Sequence, residues 1–134
     1  MKKQKGQALV EFALVLPLFL FLVFAIIYSG MFFHDYSTLS NIARSAARER
    51  AISGSGIDNE TIKGYYFKNN TFTPSLITGL YHPADTNPFT IEGTDNIVVT
   101  ITMQLGDSSY LMRVVLPEQY SIVYNMRKDY KEES

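Results

Sequence analysis

Residues 12–33, FALVLPLFLFLVFAIIYSGMFF, form a run of 22 residues without a charge. No other feature constrains the chain as strongly. At about 1.5 Å rise per residue, such a run crosses the roughly 30 Å hydrocarbon core of a bilayer as one helix. With the run and its flanks set aside, roughly 80 of the residues remain, enough for one small domain with a modest core. The chain therefore divides into a membrane-crossing part and a small soluble part.

The flanks of the run decide how it is used. Glu11 stands directly before it, and Lys2, Lys3 and Lys5 precede Glu11. Three readings fit residues 1–33. A secretory signal has such a basic start, but its apolar region is typically about 7–15 residues and ends in a small-residue cleavage site. This run is longer and passes through Tyr28-Ser29-Gly30 into Met31-Phe32-Phe33. The second reading is an uncleaved anchor. The third is a prepilin-type anchor, cut before the helix rather than after it. In the last two the lysine-rich leader stays inside, because short loops rich in Lys and Arg are retained in the cytoplasm. Arg44, Arg48 and Arg50 belong to a longer translocated segment. The expected location is the cytoplasmic (inner) membrane, single-pass, with the N-terminus inside and the C-terminal bulk outside.

Glu11 separates the readings. A carboxylate at the centre of a membrane helix costs about 2.5–3.5 kcal/mol on insertion scales, and less near an end. At the cytoplasmic interface it can simply reach water. Its spacing from Gly6 opens another use. Cleavage after Gly6 makes Gln7 the first residue and Glu11 the fifth, and it frees an α-amine that is positively charged near neutral pH. The carboxylate can then pair with that amine on its own chain or a neighbour's. In a low dielectric the pair sets helix register between packed subunits.

Residues 6–51 resemble the N-terminal domain of the TadE-like family, minor pilins or pseudopilins of the tight-adherence (Flp-type) pilus and secretion system. The resemblance is carried by Gly6, Val10-Glu11-Phe12-Ala13, Leu16-Pro17, the apolar run, and the Ala/Arg-rich helix after it. It implies cleavage between Gly6 and Gln7 by a prepilin peptidase. It also implies that Glu11, with Phe12 beside it, serves processing or assembly. The expected partners are membrane lipid, other pilin-like subunits, pilus assembly proteins and the peptidase, with incorporation in a pilus as one destination.

Pro17 interrupts the ladder inside the run, where its missing N–H leaves the Ala13 carbonyl without a helical partner and favours a kink. It is either a tolerated membrane proline or a hinge for oblique packing. No GxxxG seam is present. After the run come His34-Asp35-Tyr36, read as an interfacial group in which His34 and Tyr36 sit at headgroup level. Residues 37–52 then place Leu39, Ile42, Ala43, Ala46 and Ala47 on one helical face, with Asn41, Arg44, Ser45, Arg48 and Glu49 opposite. One helix over residues 8–52 would be about 67 Å long.

Ser53-Gly54-Ser55-Gly56 is expected to break the helix, giving a flexible linker over 53–61. Residues 62–68, IKGYYFK, are expected as a short strand weakened by Gly64. Residues 69–95 read as loops enclosing short strands near 76–81 and 89–92, with their aromatics serving the core. Asn96–Leu105 alternates with period two, the mark of a half-buried strand. Strands at 110–116 and 120–126 follow, and short connections favour an antiparallel meander. The fold class is thus α+β: a long N-terminal transmembrane helix continuing into an amphipathic stem, packed by a small antiparallel sheet in a pilin-like manner. Its parts are a basic leader (1–6), helix and stem (7–52), linker (53–61) and a β-rich extracytoplasmic domain (62–134).

Chemistry is not encoded in any recognisable constellation. There is no cysteine or tryptophan and there are only two histidines, so thiolate nucleophiles and Cys-based metal sites are excluded. No HExxH or GxSxG occurs, and Asp58-Asn59-Glu60 is too short for a calcium loop. A net charge of −1 gives no basic field for nucleic acid. Neither enzyme activity, cofactor nor metal is expected. The expected function is structural, as a minor pilin-like (pseudopilin) subunit. The alternative is an uncleaved bitopic protein whose outer domain binds, as an adhesin or an assembly chaperone.

Overall fold

The structure is a computed structural model that describes residues 2–53, 56–107, 113 and 116–128, with side chains from Gly6 onward. It forms two compact units, divided between Phe33 and His34. Helix α1 (Lys2–Ser53) contributes to both. The stem therefore belongs to the C-terminal unit rather than to the membrane segment.

In the N-terminal unit α1 is unbroken through Pro17. Its side chains from Gly6 to Phe33 are exposed, or at most half-buried at Val23, Met31 and Phe32. An apolar helix with no cover on any face is stable in lipid or among partner helices, not in water. Among the described residues, α1 is the one helix long and apolar enough to cross a membrane.

The C-terminal unit has a core of its own. The alternation in Asn96–Leu105 becomes β5 over those same residues, with Ile97, Val99, Ile101, Met103 and Leu105 buried. Strand β6 (Gln119–Arg127) pairs antiparallel with β5 along nearly its whole length, placing Ile122 opposite Ile101 and Tyr124 opposite Val99. On the other edge of β5 lie β3 (Tyr81–Pro83) and β4 (Phe89–Glu92), one after the other. The chain between them still bonds to β5: Ala84 N–H donates to Thr102 O at 3.1 Å, and Thr102 N–H to Pro88 O at 2.9 Å. The expected meander is thus corrected. β6 is the direct neighbour of β5, with no strand between them. The expected strand at 110–116 lies almost wholly outside the described residues.

The stem covers this sheet. Leu39, Ile42, Ala43, Ala46, Ala47 and Ala51 are all buried, the face that the spacing predicts. The Tyr36 ring meets Tyr120 of β6 at 6.3 Å, and the Arg44 guanidinium lies 5.7 Å from the Tyr124 ring centre. Four alanines on this face, Ala43, Ala46, Ala47 and Ala51, keep the covering layer thin. A larger side chain there would overpack the layer at a cost of about 1–3 kcal/mol. Burying Leu39 and Ile42 stabilises the layer by about 1.5–3 kcal/mol each.

Residues 59–66 correct a second expectation. They form helix α2 (Asn59–Tyr66), not part of a strand, and α2 begins inside the stretch read as linker. Asp58 caps it, its carboxylate accepting from Asn59 N–H at 2.8 Å. Ile62 is its buried residue. The Tyr66 hydroxyl bonds with Glu49 and Ser45 of α1; burial first, and then the Glu49 charge, push that phenol's pKa up. Asn59 Nδ2 donates to Ile91 O at 3.1 Å, tying the start of α2 to β4. After α2, β1 (Phe67–Lys68) and β2 (Thr71–Phe72) form a minimal hairpin. Its two-residue turn is Asn69-Asn70, at φ 53° and 58°, the left-handed pair that a type I′ turn requires. The Phe67, Phe72 and Phe89 rings stack in sequence at 4.8 and 6.1 Å.

Candidate functional site

The residues that the sequence singles out all lie in the N-terminal unit. Gly6, Gln7, Glu11, Phe12 and Pro17 are on α1 and exposed. Among the described residues no side chain pairs with Glu11. Phe12 is 63% exposed. Gly6 sits inside a helix, where glycine is less favourable than alanine by about 0.8–1.0 kcal/mol. Apart from its own stretch of helix, no described atom lies within 4 Å of where its Cβ would stand. Packing within the chain therefore gives no reason for a glycine at that position. These residues are brought onto one helix, and within the N-terminal unit no described side chain converges on them.

A second constellation opens the C-terminal unit, and sequence reasoning missed it. Asp35 is 2% exposed. Its Oδ1 accepts the Ile77 N–H at 2.8 Å, and its Oδ2 accepts the Thr78 N–H at 2.7 Å together with the Thr78 hydroxyl. His34 Nδ1 lies 3.4 Å from Oδ1, on a largely solvated ring. Within the expected interfacial His–Asp group, the acid turns into the fold and holds a loop 42 and 43 residues away in sequence. Burial alone would push the Asp35 pKa up. The Thr78 hydroxyl, the Ile77 and Thr78 amides and His34 outweigh it and hold the carboxyl below its ordinary 3.8.

Three tyrosines cluster nearby, and one of them, Tyr120, feels the Asp35 charge. Tyr120 stacks edge-on with Tyr81 at 4.7 Å and meets Tyr36 at 6.3 Å. Burial first, then the Asp35 charge and the two other phenols, push the Tyr120 phenol strongly up, so it stays protonated. Tyr81 donates its hydroxyl to Pro117 O at 2.8 Å. The cluster joins the stem, the 76–80 loop, β3 and the start of β6. Its carboxylate is already occupied by donors from its own chain. Its chemistry is anchoring. The one sequence clue was an acid two residues past the run, between Phe33 and Tyr36, where a solvated charge has little reason to be.

Elsewhere the surface offers little. An open depression of about 340 Å³ lies between α2 and the approach to β4, lined by Glu60, Lys63, Phe67 and Phe89 among others. Its Lys63 ammonium is paired with Glu60 at 2.8 Å. Among the described residues no three His, Asp or Glu side chains stand together as metal ligands would.

The fold and these sites define a class: a small α+β unit carried on a long apolar helix that fits a membrane anchor. Residues 6–48 match the family model described as TadE-like protein, so this part of the chain is similar to TadE-like proteins, in line with the sequence resemblance. The match begins at Gly6 and covers about a third of the chain, ending within the stem. Comparison with curated proteins and with solved structures finds no match.

Proposed function

We propose that the chain is a minor pilin-like (pseudopilin) subunit acting structurally in the assembly of a tight-adherence pilus or a related secretion machine. The observation that supports this most is the uncovered helix from Gly6 to Phe33. A plain anchor needs such a surface only for lipid. An assembly helix needs it for lipid first and for neighbouring helices later. Gly6 adds to the argument, since a helical glycine with nothing packed on it suits recognition from outside the chain, as by a peptidase.

In this mechanism the lysine leader keeps the N-terminus inside. A prepilin peptidase then cuts between Gly6 and Gln7. The new amine meets Glu11 of the same or a neighbouring chain, Phe12 packs at that contact, and Pro17 lets the helix adjust its angle. The C-terminal unit stays outside and meets other assembly proteins.

Two measurements test this. The intact mass of the membrane-extracted protein should correspond to a chain beginning at Gln7; a chain that keeps Lys2, Lys3 and Lys5 identifies an uncleaved anchor instead. Glu11→Ala should insert normally yet fail to co-purify with pilus assembly partners. Wild-type recovery of those partners with Glu11→Ala would remove the register contact.

A further inference from the structure

We propose that the loop around Ile77 lies in the headgroup zone of the bilayer and gives the C-terminal unit a second, non-spanning contact with the membrane. The inference rests on residues 12–33 being a membrane span. Three observations carry it. First, Asp35 stands two residues beyond the uncharged run, and its carboxylate holds the Ile77 and Thr78 amides at 2.8 and 2.7 Å. Within the C-terminal unit the loop is thereby fixed beside the residue at which the chain has just left the run. Second, the loop presents an apolar side chain outward: Ile77 is 54% exposed, flanked by exposed Pro74, Ser75 and Gly79.

Third, residues 69–84 contain no Asp, Glu, Lys or Arg; the charges resume at Lys68 on one side and Asp85 on the other. Charged residues make up 19% of the chain, so a stretch of this length would carry about three of them. A charge in this loop would have to be desolvated, or to snorkel, if the loop met lipid. Uncharged polar and apolar residues need neither. Tyr36, beside Asp35 and 44% exposed, adds the kind of amphipathic ring that favours the interface. A single exposed isoleucine on a water-facing loop would mean nothing. Its tether to Asp35 and the missing charges give it meaning.

The chain has no cysteine, so one introduced cysteine is a unique labelling site. Full-length protein carrying a nitroxide at Ile77→Cys or Ser75→Cys is reconstituted in phosphatidylethanolamine–phosphatidylglycerol vesicles. Collision with oxygen, which enters lipid, is compared with collision with a water-soluble nickel chelate. Phe19→Cys serves as the span control and Asn125→Cys, on an exposed strand face, as the aqueous control. The oxygen-to-nickel ratio at 75 and 77 should exceed that at 125 several-fold, stay below that at 19, and not change when the protein is diluted in lipid. Nickel access at 77 equal to that at 125, with 19 lipid-like, overturns the loop contact. Nickel access at 19 as well would remove the span itself. Protection at 77 that fades on dilution assigns the loop to a second copy of the chain and also overturns the proposal. Ile77 is held through its backbone, so the cysteine leaves the Asp35 contacts in place.

Discussion

Asp35→Asn is the substitution with the clearest consequence. It keeps the size of the side chain and removes one acceptor and the charge. In the parent, one carboxylate oxygen serves the Ile77 amide and the other serves the Thr78 amide and hydroxyl. In the asparagine variant one of these oxygens becomes an NH2 group, and one backbone N–H then faces a donor. A hydrogen bond to a charged group contributes about 1.5–3 kcal/mol, and a buried donor left unpaired costs about 1–3 kcal/mol. Relief from burying a charge offsets part of this. The expected net loss is about 3 kcal/mol, a large share of the roughly 5–15 kcal/mol that holds a typical domain. The measurement is urea unfolding of full-length protein in detergent, followed by tyrosine near-ultraviolet circular dichroism. The chain has nine tyrosines and no tryptophan, and Tyr36, Tyr81 and Tyr120 cluster here, so the signal reports on this region. Thr78→Val removes only the hydroxyl and should cost about 1 kcal/mol. The double variant should lose less than the sum, because the two groups share a contact. A loss with Asp35→Asn within about 0.5 kcal/mol of zero, the range of ordinary surface changes, would refute the reasoning.

The same carboxylate sets part of the acid sensitivity. Its folded pKa lies below 3.8, so its contribution is full above about that pH and is lost as pH falls through the folded value. Parent and Asp35→Asn stability curves should therefore converge on acidification below about pH 4; curves that stay parallel there would count against the assignment. Gly93, in the β4–β5 turn, has φ +92°, and a Cβ there would come 1.9 Å from Asn96 O. Gly93→Ala should cost about 2–3 kcal/mol in the same unfolding experiment. Gly30→Ala, with nothing within 4 Å, should cost nothing, and equal effects at the two glycines would show that the turn geometry is misassigned.

The elements that were legible in the sequence are those whose pattern repeats. β5 alternates over ten residues because it is the central strand with one face on the stem. The stem shows its Ala face because five buried positions recur at helical spacing. Residues 62–68 misled because Tyr65, Tyr66 and Phe67 look like strand residues and Gly64 weakens a helix; the capping Asp58 ahead of them was the better signal. The β1–β2 hairpin has two pairs of residues, too few to show any period. Its only local mark is Asn69-Asn70. Strand β3 lies later than expected because residues 76–80 are a loop held by Asp35, and no local pattern announces a partner 42 residues away. Gly6, Gln7, Glu11, Phe12 and Pro17 are legible only as a motif, and the structure leaves them exposed on one helix.

The two acids that bracket the apolar run bring this out. Asp35, after the run, is buried, and every strong donor it needs comes from its own fold. Its charge is neutral ground for any partner. Glu11, before the run, is exposed and has no partner among the described residues. In water a lone carboxylate needs none. At the mouth of an apolar helix in a membrane the solvent is poorer, and a free carboxylate gains from any cation brought to it. A cation for Glu11 can come from an amine freed at Gln7 or from a neighbouring helix, while water at the interface can solvate it instead. Only the first two fix a register, and they are the two that cleavage and lateral packing would supply.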